Sequence, residues 1–276
     1  DNVELAVGGN FVHQTNENHA EEILIPNATK NDMGLFMLSH FHFDSSDLML
    51  GVRADMRQID AIGIEKTYTS MTASAGYKKD LGQSSIFRVN LATGYRAPNL
   101  SELFSDGEHH GTGRYEIGDP TLSSETSDNF DITLNYEKDG LYAYASFFVN
   151  DVNNYIALID QEDHEGEEEE EEEHHNECHH EEEEEGADPH PHPELICSMY
   201  MQEDAEFDGY EFEFGKSFDL NSGILNLSYG RDVVNAKFSD GHYVPRINPT
   251  RNVYSLSYER NDLVLNLNLK YFEKQS

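Results

Sequence analysis

FDITLNYEKDGLYAYASFFVN, residues 130–150, decides the fold. Phe130, Ile132, Leu134 and Tyr136 alternate with Asp131, Thr133 and Asn135. A period of two sends the apolar set to one face of a strand and the polar set to the other. Asp139-Gly140 is a residue pair that accepts the positive φ angles of a two-residue hairpin. Residues 142–150 then return as a second strand.

The same pattern extends outward in both directions. Downstream, Tyr210, Phe212 and Phe214 alternate with Glu211 and Glu213, and Leu263 to Tyr271 places apolar side chains at every odd position. Upstream, Leu48, Leu50, Val52, Ala54 and Met56 alternate with Met49, Gly51, Arg53 and Asp55, after the tight turn Asp44–Asp47. Helical periodicity is nearly absent. About eleven strands of some ten residues are expected, and the fold class is all-β.

Alternation alone does not say which face meets water. A soluble sandwich hides the apolar face, whereas a membrane barrel turns it to lipid. Strands of this length suit a tilted crossing of a bilayer. Tyrosines and phenylalanines gather towards strand ends, as in an aromatic girdle. The connections also alternate in length. They are long near 14–32, 96–127, 151–208 and 234–251, middling at 58–67, and short at 44–47, 78–85, 137–140, 216–222 and 259–262. An antiparallel up-and-down transmembrane β-barrel gathers its long loops outside the cell and its short turns in the periplasm. The chain is therefore expected to be part of such a barrel, with outer-membrane lipid around it.

Glu162 to Glu194 reads EDHEGEEEEEEEHHNECHHEEEEEGADPHPHPE. It holds eighteen of the 54 acidic residues and seven of the fourteen histidines: His164, His174, His175, His179, His180, His190 and His192. The segment 160–207 is expected as an acidic, His-rich extracellular loop. Neutral imidazole beside carboxylate suits borderline divalent cations such as zinc, copper or nickel. A Glu-rich run of low complexity can also be merely solvated. A formal charge of −36 repels nucleic acid and attracts cations. Cys178 and Cys197 are expected to form a disulfide in an oxidising compartment, with Cys178 as a thiolate ligand the alternative. There is no Ser-His-Asp arrangement, phosphate loop or HExxH motif, so no enzyme is expected.

Gly94 to Thr126 reads GYRAPNLSELFSDGEHHGTGRYEIGDPTLSSET. Tyr95-Arg96-Ala97-Pro98, then Gly118, Pro120, Leu122, Glu125 and Thr126, resemble the strand-closing and strand-opening runs of TonB-dependent outer-membrane receptors. Asp106-Gly107-Glu108-His109-His110, the His-rich loop and Tyr243–Pro249 are similar to the zinc-uptake, ZnuD-like branch. Ile25-Pro26, ahead of the second strand, is similar to that branch too. The resemblance implies import of a divalent metal, Zn²⁺ first, with haem or a metal chelate as the alternative cargo. A non-transport outer-membrane binding protein is a second alternative. It also implies a plug domain and the TonB energy-transducing complex as partners. Such receptors have about twice as many strands, so plug and C-terminal strands are expected outside this piece. Asp106, Glu108, His109 and His110 are expected metal ligands, joined by residues of another loop. His13, His19, His40, His42 and His242 read as isolated.

Overall fold

The computed structural model describes residues 2–19, 23–109, 111–161 and 195–274. Eleven strands follow one another antiparallel in a single path. They are β1 (Val3–Asn16), β2 (Ala28–Phe43), β3 (Ser46–Ala61), β4 (Ile64–Asp80), β5 (Ser85–Arg96), β8 (Glu125–Lys138), β9 (Leu141–Asp160), β10 (Ile196–Leu220), β11 (Gly223–Phe238), β12 (Arg251–Arg260) and β13 (Leu263–Phe272). Between β5 and β8 lie a short helix α1 (Leu100–Phe104) and a hairpin of β6 (Asp106–His109) and β7 (Arg114–Ile117). Every step along the path joins consecutive wall strands, which is the up-and-down order.

The apolar face points outward. Leu5, Val7, Leu35, Met71, Leu91, Leu267 and Leu269 are all more than half exposed. In water such a wall would be an aggregation surface; in a membrane it is the lipid contact. The opposite face carries Asn10, Arg53, Asp55, Arg57 and Asp32. Arg57 there grips Asp32 through Nε and Nη2 at 2.6 and 3.1 Å.

Turns alternate by side. Residues 44–45, 81–84, 139–140, 221–222 and 261–262 close the periplasmic end. Asp139 and Gly140 take φ angles of 51° and 72°, the paired positive values of a type I′ turn. The outer end carries 17–27, 62–63, 97–124, 161–195 and 239–250.

Three expectations change. The middling connection at 58–67 is a two-residue turn, Ile62-Gly63, with φ of 47° and 77°. Strands of ten residues prove too short for most of the wall: β9 has 20 residues and β10 has 25. Only about 9–11 residues cross a bilayer, so these strands stand well above it. For the same reason residues 196–207, expected within the acidic loop, form the first half of β10.

Among the described residues, two buried clusters lie where outer loops fold back onto the inner face. Ile59, Tyr68, Ala97, Leu103, Phe104 and Leu122 form the larger one. Ala205, Ala236 and Val244 form the smaller, beneath 239–250.

Candidate functional site at the extracellular rim

The rim is organised around Arg96, the last residue of β5. Its Nε and Nη2 reach Glu125 at 2.6 and 2.5 Å, and its Nη1 reaches Glu102 at 2.6 and 2.9 Å. Both carboxylates are buried. Glu125 Oε1 also accepts the amide of Ile156 at 2.7 Å. The two carboxylates and their hydrogen bonds raise the Arg96 pKa, against burial that would lower it. Glu102 is at the same time the third residue of α1. Its amide donates to the Asn99 side chain at 2.9 Å, and its carboxylate accepts the Asn99 amide at 2.8 Å, a reciprocal cap. The carbonyl of Glu102 accepts the amide of Asp119 at 2.9 Å. A side chain at Gly118 would meet the backbone of Leu103 to Ser105 at 2.6–2.7 Å, so only glycine fits there. The Arg-Ala-Pro and Gly-Asp-Pro-Thr-Leu runs are therefore two sides of one clasp, which holds the 97–124 loop on the inner face.

Beyond the clasp, the β6–β7 hairpin docks against β10. Arg114–Ile117 of β7 run parallel to Ile196–Met199, above the point where β11 ends. Asp160, at the end of β9, fastens this joint. It accepts Arg114 Nε and Nη2 at 2.9 and 3.0 Å, Ser198 Oγ at 2.7 Å and Arg246 Nη2 at 3.0 Å. Hydrogen bonding to Arg114 leads in holding its carboxyl at about 2, aided by Ser198 and the charge of Arg246. Arg246, from the Tyr-Val-Pro-Arg run, also donates to the Leu158 carbonyl at 2.6 Å.

His109 closes β6. Its Nδ1 lies 2.7 Å from Glu116 Oε1. The Glu116 side chain is only 5% exposed, while the His109 ring is 44% exposed. Tyr200 Oη donates to the other oxygen of Glu116 at 3.4 Å, and burial is the first cause of its raised phenol pKa. A carboxylate on Nδ1 fixes a proton there and leaves Nε2 as a lone pair for a metal.

The register separates the expected ligands. His109 pairs with Arg114 and Gly107 with Glu116, whereas Asp106 pairs with Ile117 and Glu108 with Tyr115. Alternation thus puts Asp106 and Glu108 on the hairpin face opposite His109. Asp106 accepts the Tyr115 hydroxyl at 2.9 Å. His110, His164, His174, His175, His179, His180, His190, His192 and Cys178 lie outside the described residues. Cys197 is the second residue of β10, and its carbonyl accepts the Gln161 amide at 2.8 Å.

The histidines read as isolated all have neighbours. His13 contacts Asn31 at 2.7 Å, His242 contacts Asp240 at 2.6 Å, and His19 stands 4.0 Å from Glu17. His40 and His42 instead stack with ring centroids 3.9 Å apart. Glu116 and the Arg96 partners also escaped sequence reading as a group. The signal available was Arg96 and Glu125 flanking one long connection that itself carries acids at 102 and 116.

A sheet with a lipid-facing outer wall, tight turns at one end and an elaborated rim at the other is that of an outer-membrane β-barrel. The chain belongs to the family described as TonB dependent receptor-like, beta-barrel, which residues 6–276 match. Among curated proteins it is similar to heme/hemopexin utilization protein C of Haemophilus influenzae, 28% identical over 148 residues, 48% of this chain and 20% of that protein. Among solved structures it resembles the copper transporter OprC, with a TM-score of 0.72 and 18% identity over 96% of this chain and 40% of that one. The FrpB iron transporter of Neisseria meningitidis (F3-3 variant) gives a TM-score of 0.63 and 16% identity, covering 98% and 40%. The chain thus spans a fifth of the curated relative and about two fifths of the solved barrels.

Proposed function

We propose that this chain is part of a receptor that captures a divalent transition metal, zinc first, at the cell surface and passes it inward. The observation that carries the reading is His109, partly exposed, with buried Glu116 on its Nδ1 at 2.7 Å. Metal-binding histidines commonly rest their other ring nitrogen on a carboxylate in this way, which aims Nε2 away from the carboxylate. The 162–194 segment, with seven histidines and eighteen acids, gives the same rim a large ligand reserve. It would bind weakly at several places and raise the local metal concentration. His110 and histidines of that segment would complete coordination around His109. Cys178 and Cys197 would tie the middle of the segment to the start of β10 as a disulfide. A plug domain inside the barrel and the TonB complex would drive release, as membership of the family implies.

A haem receptor is the second reading. The curated relative's name mentions heme, and His109 falls between the Arg96-Ala97-Pro98 and Pro120-Thr121-Leu122 runs. Haem ligation calls for an apolar pocket around an axial histidine. The neighbours of His109 here are Glu116, Thr112 and Arg114, which suit a hydrated cation better.

Zinc titration by calorimetry of the complete receptor, beside absorbance with added haem, separates the two. Zinc binding that weakens on His109→Ala, with no Soret shift, supports the first reading. A Soret shift lost in the same variant, with no change in zinc binding, overturns it in favour of haem.

A further inference from the structure

The strands carry a second group of metal-competent side chains, at the end of the wall opposite His109. His40 and His42 lie two residues apart near the periplasmic end of β2, so alternation puts them on one face. Register places Glu4 of β1 opposite His40, and Asp47 of β3 opposite His42. This is the inner face, because Leu5, Leu35, Met37 and Leu50 of the intervening positions are exposed on the outer one.

The four side chains converge. One donor atom each from Glu4, His40 and His42 lies within 4.8 Å of the others. Glu4 Oε1 is 3.7 Å from His42 Nε2. Donors around a tetrahedral ion bound at about 2.0–2.2 Å stand about 3.3–3.6 Å apart, so small side-chain rotations close the gap. His42 Nδ1 lies 2.9 Å from Asp47 Oδ1. This carboxylate fixes the proton on Nδ1 and leaves Nε2 free on the side of Glu4. Lys78 Nζ takes the other oxygen of Asp47 at 3.2 Å and also contacts Asp80 at 3.3 Å. It therefore holds Asp47 in its supporting place while its own charge is answered twice. His40 Nε2 is 3.6 Å from Asp47 Oδ1, and a side-chain rotation would bring it towards Glu4.

We propose that Glu4, His40 and His42 bind one borderline divalent cation, Zn²⁺, Cu²⁺ or Ni²⁺, on the inner face at the periplasmic rim, with Asp47 as the positioning residue. Two imidazoles and a carboxylate are the donor set of such ions, and calcium and magnesium prefer all-oxygen sites. Three protein ligands leave a fourth position for water, so the ion is exchangeable rather than locked. The proposal stands whichever cargo the receptor carries, since it uses none of the outer-rim residues.

The test uses the complete receptor in detergent at pH 7.5. A nitroxide is attached at position 45 (Ser45→Cys) in the turn beside the cluster, and Cu²⁺ is added. The expected result is line broadening that disappears in the His40→Ala, His42→Ala double variant. Circular dichroism and gel mobility establish that the variant barrel is folded. Asp47→Asn keeps the broadening but needs about 10–100-fold more copper to reach it. His109→Ala leaves it unchanged. No broadening in the parent protein, or broadening that survives loss of both histidines, overturns the assignment.

Discussion

Two carboxylate–histidine pairs stand at opposite ends of the same wall. At the outer rim Glu116 holds His109 at 2.7 Å; at the periplasmic rim Asp47 holds His42 at 2.9 Å. The device is the same, but the supports differ. The lower group sits on three adjacent strands, where the hydrogen-bond ladder places Glu4, His40, His42 and Asp47 and Lys78 steadies Asp47. The upper pair sits on two four-residue strands within a long loop, so its position depends on the Arg96 clasp and the Asp160 joint. The lower end brings its ligands together in advance. The upper end brings one oriented histidine, and the remaining ligands would come from His110 and the 162–194 segment. Geometry of the first kind favours a fixed small ion, and of the second a site that gathers ligands as metal arrives.

The sharpest break in the comparison is Arg96→Ala. It removes the charge partner of two buried carboxylates; because the Arg96 side chain is 41% exposed, the loss falls below the roughly 3–5 kcal/mol of a fully buried pair broken from one side. Hydrogen exchange should rise across α1 and the β6–β7 hairpin, and zinc binding at His109 should fall. Copper broadening at position 45 should persist. If protection of α1 is unchanged, the clasp does not hold the rim.

Proton competition comes next. Histidine must be neutral to bind metal, and unperturbed imidazole titrates near pH 6.5. Zinc affinity should therefore fall by about tenfold or more per histidine ligand between pH 7.5 and 5.5. Binding by carboxylates alone would persist down to about pH 4–5. Equal affinity at both pH values would mean that glutamates hold the metal.

Deleting 162–194 should lower the number of zinc ions bound and leave the barrel folded, because the sequence of the segment holds no apolar run that could form a core. Unchanged stoichiometry would refute a capture role. Glu116→Gln is subtler. The amide still contacts Nδ1 but lacks the charge that raises imidazole basicity, so affinity at the outer rim should drop about tenfold. The lower site should not respond.

Most of the wall was legible in the sequence, because period-two alternation survives wherever one face meets lipid. The eleven wall strands and the side of each turn follow from it. The turn at Ile62-Gly63 was not legible. Ile62 adopts a positive φ that β-branched residues avoid, so nothing marked it as a hairpin corner. Strand ends above the membrane were also missed, since residues 151–160 and 196–207 mix charge and apolarity without a lipid face to order them. His40 and His42 looked isolated because their partners are 36 and 5 residues away, at Glu4 and Asp47, and meet them only through strand register. The single cue was the His-Phe-His spacing within a strand.

The smallest effect concerns Asp160, whose carboxyl is held at about 2 by Arg114, Ser198 and Arg246. A carboxyl with a depressed value in the folded protein stabilises it above the unfolded value of about 3.9, and this stabilisation is lost as pH falls towards the folded value. The joint between β7 and β10 should therefore hold at pH 5 and loosen between about pH 4 and 2. Because Asp160 is more than a third exposed, solvent screening keeps the effect near that of a surface ion pair, about 1 kcal/mol or less. Other rim carboxyls also protonate in this range, so the variant supplies the contrast. Asp160→Asn should already show mild loosening at pH 5 by proteolysis at residues 110–113, and its further change towards pH 2 should be smaller than that of the parent. Strand β2 at the other rim should show no such difference between the two proteins. If the parent and Asp160→Asn curves coincide over the whole range, Asp160 does not fasten the hairpin, and the upper histidine owes its position to the Arg96 clasp alone.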